Sequence, residues 1–319
     1  MREDDISNTG SMPFPYSPRR PFGFVASPPE VAARAEMTAA RNLGWALVGA
    51  LLVIDVPWAA LIGLSIGGIW KAMATVGGLL ALSAAYRRRS RGISLMAEHA
   101  ALWIAFTATG LVLTYLCAAC AFPLQDAALA EFDHALGFDW LAWRHAVLAS
   151  PALSRVLFFT YGSLMPQIAL AVFFFPTVGL GGRGSELLLL AILTFLPTTL
   201  ISALCPALGP WSGGPYLPDM LALRAGGPWH FDLPTMQGII TMPSYHAVLA
   251  VLFIHAFRRT RIGWGIAALN AVMLLSVSPC GGHYLADIIG GGAIALLCIL
   301  GWRRVSYRRR TTPALACPA

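Results

Sequence analysis

Residues 242–261 read MPSYHAVLAVLFIHAFRRTR. An apolar run, from about 240 to 257, is opened by a polar motif and closed by Arg258, Arg259 and Arg261. A segment with that profile is a membrane helix whose basic end stays in the cytoplasm. The stretch GGHYLAD, residues 281–287, has the same place at the head of the last apolar run, about 284–302, which ends in RRVSYRRR. Each motif puts a histidine, His246 or His283, at a helix end where a membrane segment meets water. Asp287 follows His283 by four residues, about one helical turn, so the two lie on one face. A carboxylate in that position takes the proton on one ring nitrogen and leaves the other free to react. Pro243 and Ser244 suit the first turn and the cap of a helix, and a helix N-terminus is a natural place to hold phosphate. The two histidines are expected to form one phosphoryl-transfer site.

The rest of the composition fits a membrane setting. Charged residues make up 12% of the 319 and apolar residues 57%, with a mean hydropathy of +0.67. Soluble domains carry about twice that charged fraction. The apolar residues fall in runs at about 43–67, 69–86, 96–121, 153–178, 186–208, 240–257, 262–279 and 284–302. The chain therefore reads as an all-α integral membrane protein with about eight transmembrane helices. Residues 123–147, PLQDAALAEFDHALGFDWLAWRHAV, have an amphipathic spacing suited to lying along the membrane surface. Trp140, Trp143 and Trp211 read as interfacial anchors. Cys117 and Cys120 have CxxC spacing but no second pair, so neither zinc nor any other metal or cofactor is expected.

Arginines set the orientation. With the N-terminus in the cytoplasm and eight spans, the inner segments 1–41, 86–92, 179–185, 258–261 and 302–319 hold 18 of the 22 Lys and Arg. The opposite side keeps Lys71, Arg144, Arg155 and Arg224. This bias holds at every loop and puts both histidine motifs on one extracytoplasmic face. The net charge of +7 is thus a topology signal and not a nucleic-acid one. The Ala-rich, Arg-over-Lys composition suggests a bacterial inner membrane.

MPSYHA followed by GGHYLAD resembles the second and third signature motifs of the type-2 phosphatidic acid phosphatase/haloperoxidase superfamily, over roughly residues 100–300. Tyr284 after the third-motif histidine, CPALGP at 205–210 and LQDAALAEFDHALGFDW at 124–140 are most similar to its inositol phosphorylceramide synthase branch. The resemblance implies a six-helix core, spans three to eight, at 95–302. Two additional helices at 42–94, a disordered arm at 1–41 and a basic tail at 303–319 complete the chain. It implies that His283 attacks phosphorus and forms a phosphohistidine, that Asp287 orients it, and that His246 protonates the leaving group and then activates water or an alcohol. Ser244, with Tyr245 beside it, would hold phosphate oxygens. The implied partners are a lipid phosphate or phospholipid and an acceptor, water or a polar alcohol such as inositol. Two family features are absent. There is no Lys followed by Arg-Pro, and Val277 stands where an Arg often precedes the third-motif histidine by six residues. Arg224, in the connector leading to MPSYHA, is the expected replacement.

Other polar residues have two readings each. Tyr161 and Gln167 in span four, with Tyr284, would line the substrate, or the first two would bond a neighbouring helix. Asp126 and Asp133 would meet an acceptor or head group, or simply face solvent. His99, His145, His255 and Asp55 read as structural. The competing function is a proton- or metal-coupled transporter that uses His246, His283 and Asp287; their position at one face, and the lack of an inverted repeat, weigh against it.

Overall fold

This computed structural model describes residues 28–311, with side chains over 35–306. The arm expected at 1–41 therefore lies outside the described residues up to 27, as does the tail beyond 311. Helix α1 (Pro28–Ile62) leads through a short strand β1 (Leu64–Gly67) into α2 (Ile69–Tyr86) and α3 (Arg91–Ala119). The amphipathic connector forms α4 (Asp126–Ala135) and α5 (Trp140–Ala149), each too short to cross a bilayer. Then follow α6 (Pro151–Gly162), α7 (Leu164–Thr177), α8 (Gly181–Leu204), α9 (Leu217–Ala225), strand β2 (Trp229–Asp232), α10 (Tyr245–Phe257), α11 (Gly263–Gly281) and α12 (Leu285–Thr311).

The result is an all-α integral membrane protein. Among the described residues, α1, α2, α3, α8, α11 and α12 are each long and apolar enough to cross a membrane, and α6 with α7 makes a seventh crossing, bent by 47°. The sequence run 153–178 gave no sign of that bend from hydropathy. Its cause is local: Gly162 and Ser163 sit at the break, and Pro166 has no N–H to reach the Gly162 carbonyl. Helix α10 is apolar but has only 13 residues, about 20 Å of rise against a hydrocarbon core of about 30 Å. Residues 240–244, the start of the sixth apolar run, reach α10 without helical structure.

Helix α10 is packed by α8, α11 and α12. It is apolar all round because it is covered all round: Ala247, Val248, Ala250, Leu252, Phe253 and Phe257 are buried together with Leu187 to Ile192 of α8. Lipid is as apolar as leucine, so close approach and polar bonds between helices hold such a bundle. Gly291 of α12 supplies the closest approach; a Cβ there would lie 2.3 Å from the Ser244 carbonyl oxygen. The polar bonds include His99 to Ser185 at 2.9 Å, His255 to Glu186 at 3.5 Å and Arg41 to Glu98 at 2.7 Å. Asp55, read as structural from the sequence, has both its carboxylate oxygens buried without a hydrogen-bond partner.

At the end of the bundle opposite the Arg183–Arg258 contact, the connectors are woven together. β1 pairs in parallel with β2, from Leu64 with Trp229 to Gly67 with Asp232. These four-residue strands were not legible in the sequence, because each partner is far from the other along the chain. Tyr115 of α3 donates to Asp219 and accepts the Gln237 N–H at 2.9 Å. Cys117, Cys120, Cys205, Cys280 and Cys298 are all free thiols.

Candidate active site

The site is built at this woven end. Helix α11 stops because Gly282 takes a left-handed conformation, φ 69°, with its N–H 3.1 Å from the Ser278 carbonyl. Only glycine fits: the positive φ is strained for other residues, and a Cβ would lie 2.8 Å from the Trp211 side chain. The chain reversal presents His283, which is 4% exposed. Its Nδ1 is 2.8 Å from the Thr241 carbonyl oxygen and 3.3 Å from Asp287 Oδ2. A carbonyl oxygen only accepts, so Nδ1 carries the proton and Nε2 the lone pair. Asp287 is fully buried; its Oδ2 also accepts the Tyr284 N–H at 2.9 Å. Its main-chain carbonyl accepts the Ser244 N–H at 2.9 Å, which ties the two motifs together.

On the facing side, Ser244 caps α10 by accepting the Ala247 N–H at 3.4 Å. That bond uses a lone pair of the hydroxyl and not its proton. His246 follows in the first turn. Its ring is stacked on Tyr161, 4.5 Å between centroids and 17° between planes, and lies 6.4 Å from the His283 ring. The two imidazoles, one from each motif, are thus brought side by side. Tyr161 belongs here: a Cβ on Gly281 would lie 2.8 Å from its hydroxyl and 2.9 Å from His283 Cδ2.

Several residues expected at the substrate have other tasks. Asp133 of α4 accepts the Leu285 N–H at 2.7 Å and the Ala286 N–H at 3.0 Å. It is the N-terminal cap of α12, supplied from a distant part of the chain. Asp126 accepts the Leu208 N–H at 3.0 Å and the Gly209 N–H at 2.8 Å. Both carboxylates serve backbone amides; Asp133 is buried and Asp126 half-buried. Tyr284 is buried, with its hydroxyl donating to Asp126 at 3.3 Å. Tyr216 donates to the Leu208 carbonyl at 2.9 Å, and Thr241 to that of Ala207 at 2.5 Å. Burial first, then the Asp287 and Asp126 carboxylates, push the Tyr216 phenol up to about 12, and burial with Asp126 raises Tyr284 likewise. Both phenols stay protonated donors.

Two further expectations, for Arg224 and Tyr245, are corrected, and Gln167 follows one of its two readings. Arg224 donates to the Phe122 carbonyl at 2.9 Å, on the connector after α3. Tyr245 points into the core, its hydroxyl on the Ala191 carbonyl at 2.8 Å and its ring edge-on to Phe195. Adjacent helical residues point about 100° apart, so Tyr245 turns inward when His246 faces the site. Gln167 accepts from Asn270 of α11 at 2.6 Å, the bond to a neighbouring helix that was its second reading. A residue that sequence reasoning passed over stands nearer. Arg144 of α5 donates to the Pro279 carbonyl, with its guanidinium 4.3 Å from the Trp211 ring and 5.5 Å from that of Trp140. Trp140 in turn donates to the Ser278 carbonyl at 3.0 Å. Nothing in the spacing of α5 ties it to a motif more than a hundred residues later.

A family model described as the PAP2 superfamily matches residues 127–301, from α4 into α12. The chain belongs to the PAP2 superfamily. The match includes both histidine motifs, Asp133 and Arg144, while α1 to α3 lie outside it. PAP2 superfamily members are phosphatases, so phosphatase- or phosphotransferase-type chemistry is the expectation for this site. Neither the curated proteins nor the solved structures yield a match.

Proposed function

We propose that this protein is a lipid-phosphate phosphatase or head-group phosphotransferase that works through a phosphohistidine at the extracytoplasmic face. The observation that carries the reading is the fixed tautomer of His283, with Nδ1–H held by Thr241 and Asp287 and Nε2 left as a lone pair. In the first step Nε2 attacks phosphorus, the bond from phosphorus to the leaving oxygen breaks, and protonated His246 gives that oxygen its proton. The positive charge on the His283 ring is stabilised by the Asp287 carboxylate. In the second step His246 takes a proton from water or an alcohol, whose oxygen attacks phosphorus as the P–N bond breaks. The acceptor decides the outcome: water gives hydrolysis, and an alcohol such as inositol gives a new phosphate ester, a monoester when the donor is a lipid phosphate and a diester when it is a phospholipid. Tyr284, CPALGP and the α4–α5 connector favour the inositol phosphorylceramide synthase-like branch. We assign the catalytic unit to 95–302, with two additional helices at 42–94. The arginine bias supports cytoplasmic termini, and the Ala-rich, Arg-over-Lys composition favours a bacterial inner membrane.

The test is phosphate release from a panel of lipid phosphates by detergent-purified protein in excess chelator, with His283→Ala alongside. Release by the wild type and none by the variant is expected, together with an acid-labile phosphoenzyme in the wild type alone. Release by His283→Ala at the wild-type rate would overturn the assignment of the nucleophile. Adding inositol or another polyol to the same assay separates transfer from hydrolysis.

A further inference from the structure

Phosphoryl transfer at His283 brings negative charge next to Asp287, a carboxylate with no exposed surface. Like charges so close in a partly dry site repel strongly, and stabilising the phosphoryl oxygens is the main catalytic task. A cation must stand beside the site. The sequence offers four at this end of the bundle: Lys71, Arg144, Arg155 and Arg224. Lys71 lies over the Trp70 ring at the start of α2. Arg155 is exposed and bonds the Pro151 carbonyl of its own helix. Arg224 bonds the Phe122 carbonyl through one nitrogen, with Nη1 buried and unpartnered, and that bond ties it to the connector after α3 and not to the segment of His283. Arg144 alone among the four binds the segment that carries the nucleophile, at Pro279, four residues before His283.

We propose that Arg144 is the phosphate clamp of this site, binding the phosphoryl oxygens of the substrate from the α5 side. The proposal rests on the phosphoryl-transfer reading above. The guanidinium is held in a built position. It lies over two indoles, one of which, Trp211, is in contact range of Gly282, while the other is bonded to Ser278. Asp139 caps α5 through the Ala142 N–H at 2.9 Å and so fixes the helix start one turn before Arg144. A guanidinium has five N–H donors in a planar fork, and the bond to Pro279 uses one nitrogen of the fork. The stacking holds the plane while the rest of the fork can take two phosphate oxygens, which a lysine cannot do in the same geometry.

The experiment uses the full-length protein in detergent, as wild type, Arg144→Lys, Arg144→Ala and His283→Ala. Binding of radiolabelled inorganic phosphate is measured first, because it does not depend on turnover. Then kcat/KM for a lipid phosphate is measured with and without millimolar guanidinium. Arg144→Ala is expected to bind phosphate at least about 10-fold more weakly and to lose on the order of 10²-fold in kcat/KM. Added guanidinium, but not sodium chloride at equal ionic strength, should return part of the rate. Arg144→Lys should fall between and keep the wild-type melting temperature, which separates loss of the clamp from loss of fold. Unchanged phosphate binding in Arg144→Ala overturns the clamp, as does a loss of activity that guanidinium leaves untouched while phosphate still binds. A wild type that binds phosphate through Arg144 but turns over no lipid faster than His283→Ala leaves the clamp standing and removes the phosphohistidine reading.

Discussion

Asp287 accepts two hydrogen bonds, from His283 and from the Tyr284 main chain, through a single oxygen. Asp287→Asn keeps the shape and an acceptor for Tyr284 but removes the charge that stabilises a positive imidazole. A fall in kcat on the order of 10²–10⁴-fold is expected, with little change in KM. Single-turnover phosphate release checks it, and a rate within threefold of wild type would sink the idea. At this scale the sequence was partly legible. The interval from His283 to Asp287 survives as a hydrogen bond, but not along a helix: His283 lies in the turn before α12, and Asp287 in the first turn of α12 reaches back to it and to the Tyr284 N–H. The Thr241 carbonyl, which fixes the tautomer at the shorter distance, was invisible, because every residue has a carbonyl and only the fold says where it points. Arg224 failed for a related reason: nearness along the chain to MPSYHA is not nearness in space once α9 and β2 intervene.

Helix α12 carries Asp287, and its first amides are satisfied by Asp133 from α4. Charge-assisted bonds at a helix N-terminus are worth more than neutral ones. Asp133→Ala leaves two half-buried N–H groups without their cap and should lower stability by about 1–2 kcal/mol. Thermal unfolding in detergent measures it, and Asp133→Asn should lose less. A melting temperature equal to wild type for the alanine variant would show that water replaces the cap. The contact between α10 and α12 makes a second demand. Gly291→Val would drive a side chain into the Ser244 carbonyl, 2.3 Å from the Cβ position, and push the two motifs apart. Activity should be lost even where protein accumulates. Gly292→Ala, with nothing within 4 Å, should behave as wild type. The helices themselves were legible as apolar runs, since hydropathy is local. The cap of α12 and the break between α6 and α7 were not, since one depends on a partner on another helix and the other on hydrogen-bond geometry.

Across the whole molecule, the arginine asymmetry makes a single claim about sidedness. In a background without the six native cysteines, Ser212→Cys should react with an impermeant maleimide on intact cells. Arg259→Cys should react only after the membrane is opened; both positions are exposed. The opposite pattern would turn the protein over and put the histidines in the cytoplasm. The connections that close the site also set a timetable for synthesis. Asp126 meets Tyr284 across 158 residues, and Asp133 meets Leu285 across 152. At about 5–20 residues per second, α4 waits on the order of ten seconds or more after it leaves the ribosome before its partners exist. Its carboxylates face water during that time, and His283 arrives with the last membrane helix. A chain interrupted before residue 283 carries at most one of the two histidines, so on the proposed mechanism it would be chemically silent.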